Sequence, residues 1–395
     1  MSEASPLGAA GALAVALVTV ALLQRRFGAP PAPRRFASLD GLRGYSAFLV
    51  FLHHSAAWPS FARTGVWALP PTRLYIHFGQ SSVSIFFMIT AFLFWSKLID
   101  ARTRPIDWRR LYVSRIMRLT PLFVFFVALL WIVALATNGF LLRTSVSRAG
   151  LGTLQWLTFT IAGMPNLNLA PTATVIGGAA WSLPYEWWFY LSLPLAGLLI
   201  GLRPARAWLA LAAAGTLGGV WWISDHAGWS SAAVFCGGIA AALLVRQPAI
   251  RGAARHPAAS IVCIAALVAV TRFATAFAPA PLLLLSLAFA IIACGNSLFG
   301  VLESRAARGL GEIGYSIYLL HSVALYITFG LVLGAEGTAA LSMAAYWSVV
   351  DACGAAVVVI SFVTFRMIEA PAIASVDRVN RLFGTERASV SGPIT

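Results

Sequence analysis

Apolar runs of bilayer length, separated by short polar stretches, set the pattern of this chain. They fall at 6–24, 39–58, 80–99, 117–138, 184–201, 207–224, 230–246, 257–274, 280–300, 313–333 and 342–365. Each is close to the ~20 residues a helix needs to cross a hydrocarbon core, so the pattern predicts eleven transmembrane helices. The stretch 150–163, GLGTLQWLTFTIAG, is shorter and more polar, and reads as an interfacial or re-entrant piece. Composition agrees. Apolar types make up 59% of the 395 residues and charged types 10%, against about 25% charged in a soluble domain. So few charges cannot cover a water-facing surface. The expected fold class is an all-α polytopic membrane protein.

Charge gives the expected topology. Of the 28 basic residues, only Arg63, Arg73, Arg143, Arg148 and Arg272 fall in one set of alternate loops. All the others, including Arg34, Arg35, Arg104 and Arg387, fall in the opposite set, which the positive-inside rule makes cytoplasmic. The N-terminus is then outside and the C-terminus inside. The net charge of +15 is accounted for by these short loop clusters, so nucleic-acid binding is not expected. Segment 6–24 follows an acidic leader, MSEASP, and precedes Arg25 and Arg26. That reverses the order of a signal peptide and favours a retained helix. The Pro-rich APPAPRRF after it reads as a stiff linker. Cys236, Cys263, Cys294 and Cys353 lie in apolar runs without ligand-like spacing, so neither a metal nor a redox site is expected.

Ionisable residues inside these runs are the candidate chemistry, because they are expensive in a bilayer. SLDGLRGYSAFLVFLHHSAAW, 38–58, carries Asp40, Arg43, His53 and His54. Arg43 and His54 are eleven residues apart, which returns them to one helix face about 16 Å apart along the axis. His53 points about 100° away. Asp40 could cap the helix and Arg43 could snorkel to the interface; for His54 the alternative to a functional role is a structural histidine bonded to a carbonyl.

Other clusters follow. RIMRLTP carries Arg115 and Arg118, which fit either a positive-inside anchor or a phosphate site. WSLPYEWWFY, 181–190, places Trp181, Glu186 and Tyr190 at the expected outer start of a helix, on the same side as His54. There Ser182 could cap, Glu186 could complement the helix dipole, and the aromatics could form an interfacial belt. GEIGYSIYLLHSVAL, 311–325, contains His321, whose depth allows a pair with Asp351. FRMIEAP, 365–371, closes the last helix with Arg366 and Glu369.

Taken in order, these clusters resemble the acyltransferase family 3 membrane proteins. LDGLRGYSAFLVFLHH resembles that family's first helix, with arginine, ten residues, then histidine at His54. GQSSVSIFFMITAFLF, 79–94, is similar to its second helix, RIMRLTP to its paired arginines, and WSLPYEWWFY to its Trp-Ser-Leu segment with glutamate. FCGGIA, YSIYLLH and RMIEAP resemble later signatures. Ser84, Ala91 and Trp187 depart from the family's usual aspartate, glycine and second glutamate. The resemblance implies a ten-helix bundle over 39–371, to which 1–38 adds one N-terminal transmembrane helix and linker, and 372–395 a cytoplasmic tail.

What the resemblance implies about function is an integral-membrane O-acyltransferase of the bacterial inner membrane. Its donor would be acyl-CoA, with acetyl-CoA the simplest case, and its acceptor a hydroxyl of a cell-envelope glycan or glycoconjugate. The expected catalytic set is His54, Arg43 and Glu186, with His54 either a general base or an acyl relay. Arg115 and Arg118 would bind the donor, and Trp181, Tyr190 and His321 would contact substrate. No permanently bound cofactor is expected. A transporter or flippase is the rival class; it would also use intramembrane charges, but the two halves show no convincing repeat.

Overall fold

The structure is a computed structural model that describes residues 2–28, 36–103, 105–226 and 228–382. Arg34, Arg35, Arg104, Arg387, linker positions 29–35 and the tail beyond 382 lie outside the described residues. Within them the chain is helical and carries no strand. Its principal helices are α1 (Pro6–Phe27), α2 (Ala37–Ser55), α3 (Arg73–Asp100), α4 (Trp108–Ala136), α5 (Leu183–Leu199), α6 (Arg206–His226), α7 (Trp229–Leu244), α8 (Pro257–Val270), α9 (Pro279–Ala293), α10 (Gly314–Leu325) and α11 (Met343–Thr364). Each of the eleven apolar runs becomes one of these helices.

Six spans among the described residues are long and apolar enough to cross a membrane by length and composition. They contain α1, α3, α4, α6, α10 and α11; a seventh results if α7 and the helix Pro248–Ala254, bent by 109°, are one broken span. The remaining predicted spans are shorter or more polar than expected. For α2 the reason is visible in its sequence, which exchanges apolar positions for Asp40, Arg43, His53 and His54.

Helix starts follow local chemistry. Ser5 accepts from the Gly8 amide at α1, Asp107 from the Arg110 amide at α4, and Ser342 from the Ala345 amide at α11, each satisfying an amide left free by the first turn. Two expected caps are not made. α2 starts without a side-chain cap, because it begins at Ala37 and so puts Asp40 inside its first turn, where Asp40 pairs with Arg43, 3.2 Å away. α5 also starts uncapped, because the Ser182 hydroxyl is turned toward Tyr318.

Outside the core, Leu217, Leu283 and Val332 are more than two-thirds exposed, whereas His54, His321 and Glu369 are buried. That is the arrangement a lipid solvent selects: apolar side chains outward, polar groups satisfied within. α2 lies centrally, against α3, α10 and the short helix Arg305–Glu312. Small residues permit the approach. A Cβ on Gly311 would stand 1.8 Å from the Asp40 carbonyl oxygen, and one on Gly41 1.9 Å from that of Leu302. Backbones this close are a common route to tight helix association in lipid. α1 also belongs to the bundle, packing on α11, where Trp347 donates to the Ser2 carbonyl.

Contacts keep the two basic sets apart. At one end Arg109 meets Asn380, Arg246 meets Asp100, and Arg110 meets Asp377 at 2.8 Å. The Arg110 guanidinium holds the exposed Asp377 carboxyl below its ordinary range. At the other end Arg63 pairs with Glu3, and Arg73 donates to the Arg272 carbonyl.

The stretch predicted to be interfacial or re-entrant, 150–163, spans the end of one short helix and the start of an irregular segment that runs on beyond it. Val146–Leu157 is a short helix with exposed Leu151 and Leu154. The irregular chain that follows turns inward, with Leu167, Asn168 and Ile176 buried, and carries Gly177 to the centre of the bundle.

Candidate active site

Two chambers meet inside the bundle. The first, of 290 Å³, is lined by Asp40 and Arg43 of α2, Thr90 of α3, Arg115 and Arg118 of α4, and Glu186 of α5, among others. Three guanidiniums face two carboxylates there. Arg43 is tied to Asp40, and the Arg115 guanidinium lies 5.1 Å from the centre of the Phe94 ring. Glu186 accepts from the Thr90 hydroxyl at 3.3 Å and from the Tyr190 hydroxyl at 2.9 Å. The excess of cationic groups in an enclosed space suits an anionic or strongly polarised ligand.

The second chamber, of 350 Å³, is lined by His53 and His54 of α2, Trp67, Gln80 of α3, and Gly177 and Trp181 of the inward-turning chain, among others. His54 is its best-connected group. Its Nδ1 is 3.0 Å from the Val50 carbonyl and 2.9 Å from His321 Nε2, and its Nε2 is 3.1 Å from the Gly177 carbonyl. His321 places its own Nδ1 3.0 Å from the Ile317 carbonyl. The Trp67 ring lies nearly parallel to the His54 imidazole, 6.4 Å away.

The protons in this pair can be counted. The Val50, Ile317 and Gly177 carbonyls each call for an N–H, and the contact between the imidazoles needs one more. Two neutral imidazoles carry only two N–H groups in total. In the tautomer pair with both protons on Nδ1, His54 shares its N–H between Val50 and His321, and the unfilled position is His54 Nε2, which then turns a lone pair toward Gly177. A hydroxyl in place of that carbonyl would give Nε2 a proton donor instead, the starting geometry of a general base.

Tyr318 lines both chambers. Its hydroxyl donates to the Ala179 carbonyl at 2.6 Å and lies 2.7 Å from Ser182 Oγ. The boundary between the cationic and histidine chambers is therefore a hydrogen-bonded latch joining α10 to the start of α5.

The residues singled out from sequence are divided between these spaces. Arg43, Glu186, Arg115, Arg118 and Tyr190 line the cationic chamber; His54 and Trp181 line the other, with His321 buried behind His54. Glu186 thus sits with the arginines and not beside His54, because the inward-turning chain lowers the start of α5 into the bundle. Asp351 is not the partner of His321. His54 takes that place, and Asp351 Oδ1 has no hydrogen-bond partner among the described residues. His53, expected to point away, reaches the same chamber, but its Nδ1 is held 2.7 Å from the Tyr75 carbonyl. Tyr318, Thr90, Trp67 and Gly177 were not anticipated. Tyr318 had a usable signal, since it lies three positions before His321, which puts both on one face of α10.

Comparison with known proteins agrees with this architecture. Residues 36–366 match the family described as an acyltransferase domain. The protein named acyltransferase MdmB, from Streptomyces mycarofaciens, is 28% identical over 365 residues, covering 82% of this chain and 86% of its own length. No solved structure matches the chain. The matched span begins at Phe36, one residue before α2, runs through every lining residue of both chambers and ends at Arg366; the chain belongs to the acyltransferase 3 family, membrane enzymes that transfer acyl groups.

Proposed function

We propose that this chain transfers an acyl group, acetyl in the simplest case, from acyl-CoA to a hydroxyl of a cell-envelope glycan or glycoconjugate. The observation that carries the reading is the meeting of a cationic chamber and a histidine chamber at Tyr318. The arginine-rich end is taken as the cytoplasmic side of the bacterial inner membrane, where acyl-CoA is made. Arg43, Arg115 and Arg118 draw the donor in, and the thioester advances toward Tyr318. The acceptor enters the opposite chamber past Trp67 and Trp181, ring faces suited to a sugar. Glu186 fixes the geometry of the donor side through Thr90 and Tyr190.

In the reaction His54 Nε2 accepts the proton of the acceptor hydroxyl. The oxygen attacks the thioester carbonyl, the C–O bond forms and the C–S bond breaks. The departing CoA thiolate recovers the proton from the imidazolium. General-base catalysis of this kind contributes typically 10²–10⁴-fold. His321 holds the ring so that Nε2 carries the free lone pair. The same geometry permits attack by Nε2 on the thioester to give an acyl-imidazole, which the acceptor then resolves.

The test compares membranes carrying the parent with membranes carrying His54→Ala at equal expression, using labelled acetyl-CoA and an envelope extract. Label entering a hydroxylamine-sensitive ester with the parent, and a drop of about 10² or more with the variant, supports the reading. Equal transfer by both removes His54 from the chemistry. Label trapped on the parent protein without acceptor, and lost in the variant, selects the relay.

A further inference from the structure

The cationic chamber is too small for the whole proposed donor. Its 290 Å³ lies at the lower limit of pockets that enclose a drug-sized ligand, and an acyl-CoA carries a phosphorylated nucleotide beyond its pantetheine arm. Beside it lies a second cavity, of 480 Å³. Phe36 lines both, so one aromatic side chain stands at their shared boundary. Its ring is braced edge-on against Phe92, 4.9 Å between centroids.

Among the described residues, three arginines line this second cavity: Arg246 just after α7, and Arg251 and Arg255 from the helix that follows and its end. Among the described residues, Glu303 is its one lining carboxylate. Arg246 is committed to structure, donating to Asp100 at 2.6 Å and to the Ser96 carbonyl at 3.0 Å. Arg255 uses Nε on the Cys294 carbonyl at 3.3 Å, which leaves its terminal nitrogens as further donors. Paired guanidiniums offer the planar, bidentate recognition that phosphate monoesters favour.

We infer that this second cavity is a phosphate-binding site for the nucleotide end of the acyl-CoA donor, with Arg251 and Arg255 contacting the 3′-phosphate of its ribose. The pantetheine arm then passes Phe36 into the cationic chamber, where Arg115 and Arg118 meet the polar groups nearer the thioester. The inference rests on the acyl-CoA reading above. It divides the two arginine sets by task, one grasping the end of the donor and the other guiding its reactive part.

The 3′-phosphate provides the test. Full-length protein in proteoliposomes is assayed with acetyl-CoA and with acetyl-3′-dephospho-CoA, for the parent, Arg251→Ala and Arg255→Ala. Loss of a charge-assisted contact is expected to raise KM for acetyl-CoA roughly tenfold in each variant, with KM for the dephosphorylated donor moving less than about twofold. Arg251→Lys should recover part of the loss, which a folding defect does not explain. Adenosine 3′,5′-bisphosphate should inhibit the parent competitively and the alanine variants more weakly. The inference is overturned if the variants leave KM for acetyl-CoA unchanged, or raise both donors equally. It is also overturned if their effect appears only when anionic lipid is included, which assigns the arginines to a lipid headgroup. In all of these outcomes acyl-CoA use by the parent still stands. A parent that uses neither donor with any acceptor sinks the acyl-CoA reading itself.

Discussion

His321 Nε2 stands 2.9 Å from His54 Nδ1, and the two imidazoles, from α10 and α2, form a buried pair whose far ends both face backbone carbonyls. A His321 proton on Nδ1, donated to the Ile317 carbonyl, leaves its Nε2 to accept from His54 Nδ1. On the proposed mechanism, His321 is a positioning residue for His54. Its replacement by leucine should lower kcat on the order of 10²-fold through a misaligned base, with KM for the donor little changed. Glutamine, which keeps a polar group at that depth, should recover part of the activity. A leucine variant with parental kcat would show that the pair is structural only.

Gly177 is the residue that brings a carbonyl to His54 Nε2. Its φ of +56° is in the left-handed region, and an added Cβ would stand 2.9 Å from His54 Cδ2 and 3.0 Å from Trp67. An alanine there faces backbone strain of about 1–2 kcal/mol and a clash with the proposed base. Gly177→Ala should therefore reduce turnover at least tenfold while the thermal midpoint of the purified protein moves only a few degrees. Parental turnover would mean that the carbonyl and the imidazole are not confined as the structure places them.

Much of this arrangement was legible in the sequence, and the misses share a cause. The length of the apolar runs located a helix for each of them, and intramembrane cost singled out Arg43, His54, Arg115, Arg118, Glu186 and His321. Periodicity gives a side chain's direction around one helix; it does not give what crosses between two such side chains. Arg43 and His54 share α2 yet open into different chambers, because Tyr318 from α10 stands between. Depth alone made Asp351 a partner for His321, but depth carries no azimuth. Glu186 was assigned to the wrong neighbourhood because hydropathy cannot show an irregular segment entering a bundle. That segment is tolerable at depth because its polar groups find protein partners: Asn168 donates to Leu141 and Thr172 to Ala170, while Trp222 donates to the Ile161 carbonyl.

Close approach at α2 predicts a contrast between two glycines. Gly311→Ala drives a Cβ to 1.8 Å from the Asp40 carbonyl, which must shift α2 and the Asp40–Arg43 pair with it. Gly252 has nothing within 4 Å of an added Cβ. Overpacking of this kind costs about 1–3 kcal/mol, whereas alanine at an open helical glycine gains up to about 1 kcal/mol. Thermal unfolding in detergent should show a lower midpoint for Gly311→Ala and an unchanged or higher one for Gly252→Ala. Equal midpoints would mean that the helix contact at Gly311 does not form in the membrane.

The exposed contact between Arg110 and Asp377 anchors the helix Val376–Leu382 to α4. Because the pair lowers the Asp377 carboxyl below its usual value of 3.8, the contact is complete at neutral pH and is lost only as pH falls through that lowered value. Asp377→Asn should accelerate proteolysis after residue 374 at pH 7, and raised salt should do the same to the parent. An identical cleavage rate in all three cases would assign the docking to apolar contacts alone.

Tyr318 separates the space proposed for a reactive thioester from the space proposed for the acceptor. If the partition matters, its loss should not simply slow transfer; it should let water compete. Tyr318→Phe keeps the ring but deletes the hydroxyl that joins Ala179 and Ser182, leaving those groups unpaired at a cost of about 1–3 kcal/mol concentrated on the latch. The latch then opens more often without an acceptor in place. Thiol release from acetyl-CoA, followed in the absence of acceptor, should rise severalfold relative to acyl transfer measured with it. Ser182→Ala removes the other half of the contact and should shift the same ratio in the same direction. His54→Ala combined with Tyr318→Phe discriminates the source of the leak: release that persists is attack by bulk water, and release that vanishes is hydrolysis run by the same imidazole. A parental ratio in both single variants would leave Tyr318 a packing residue, and the two chambers would have to communicate by another route.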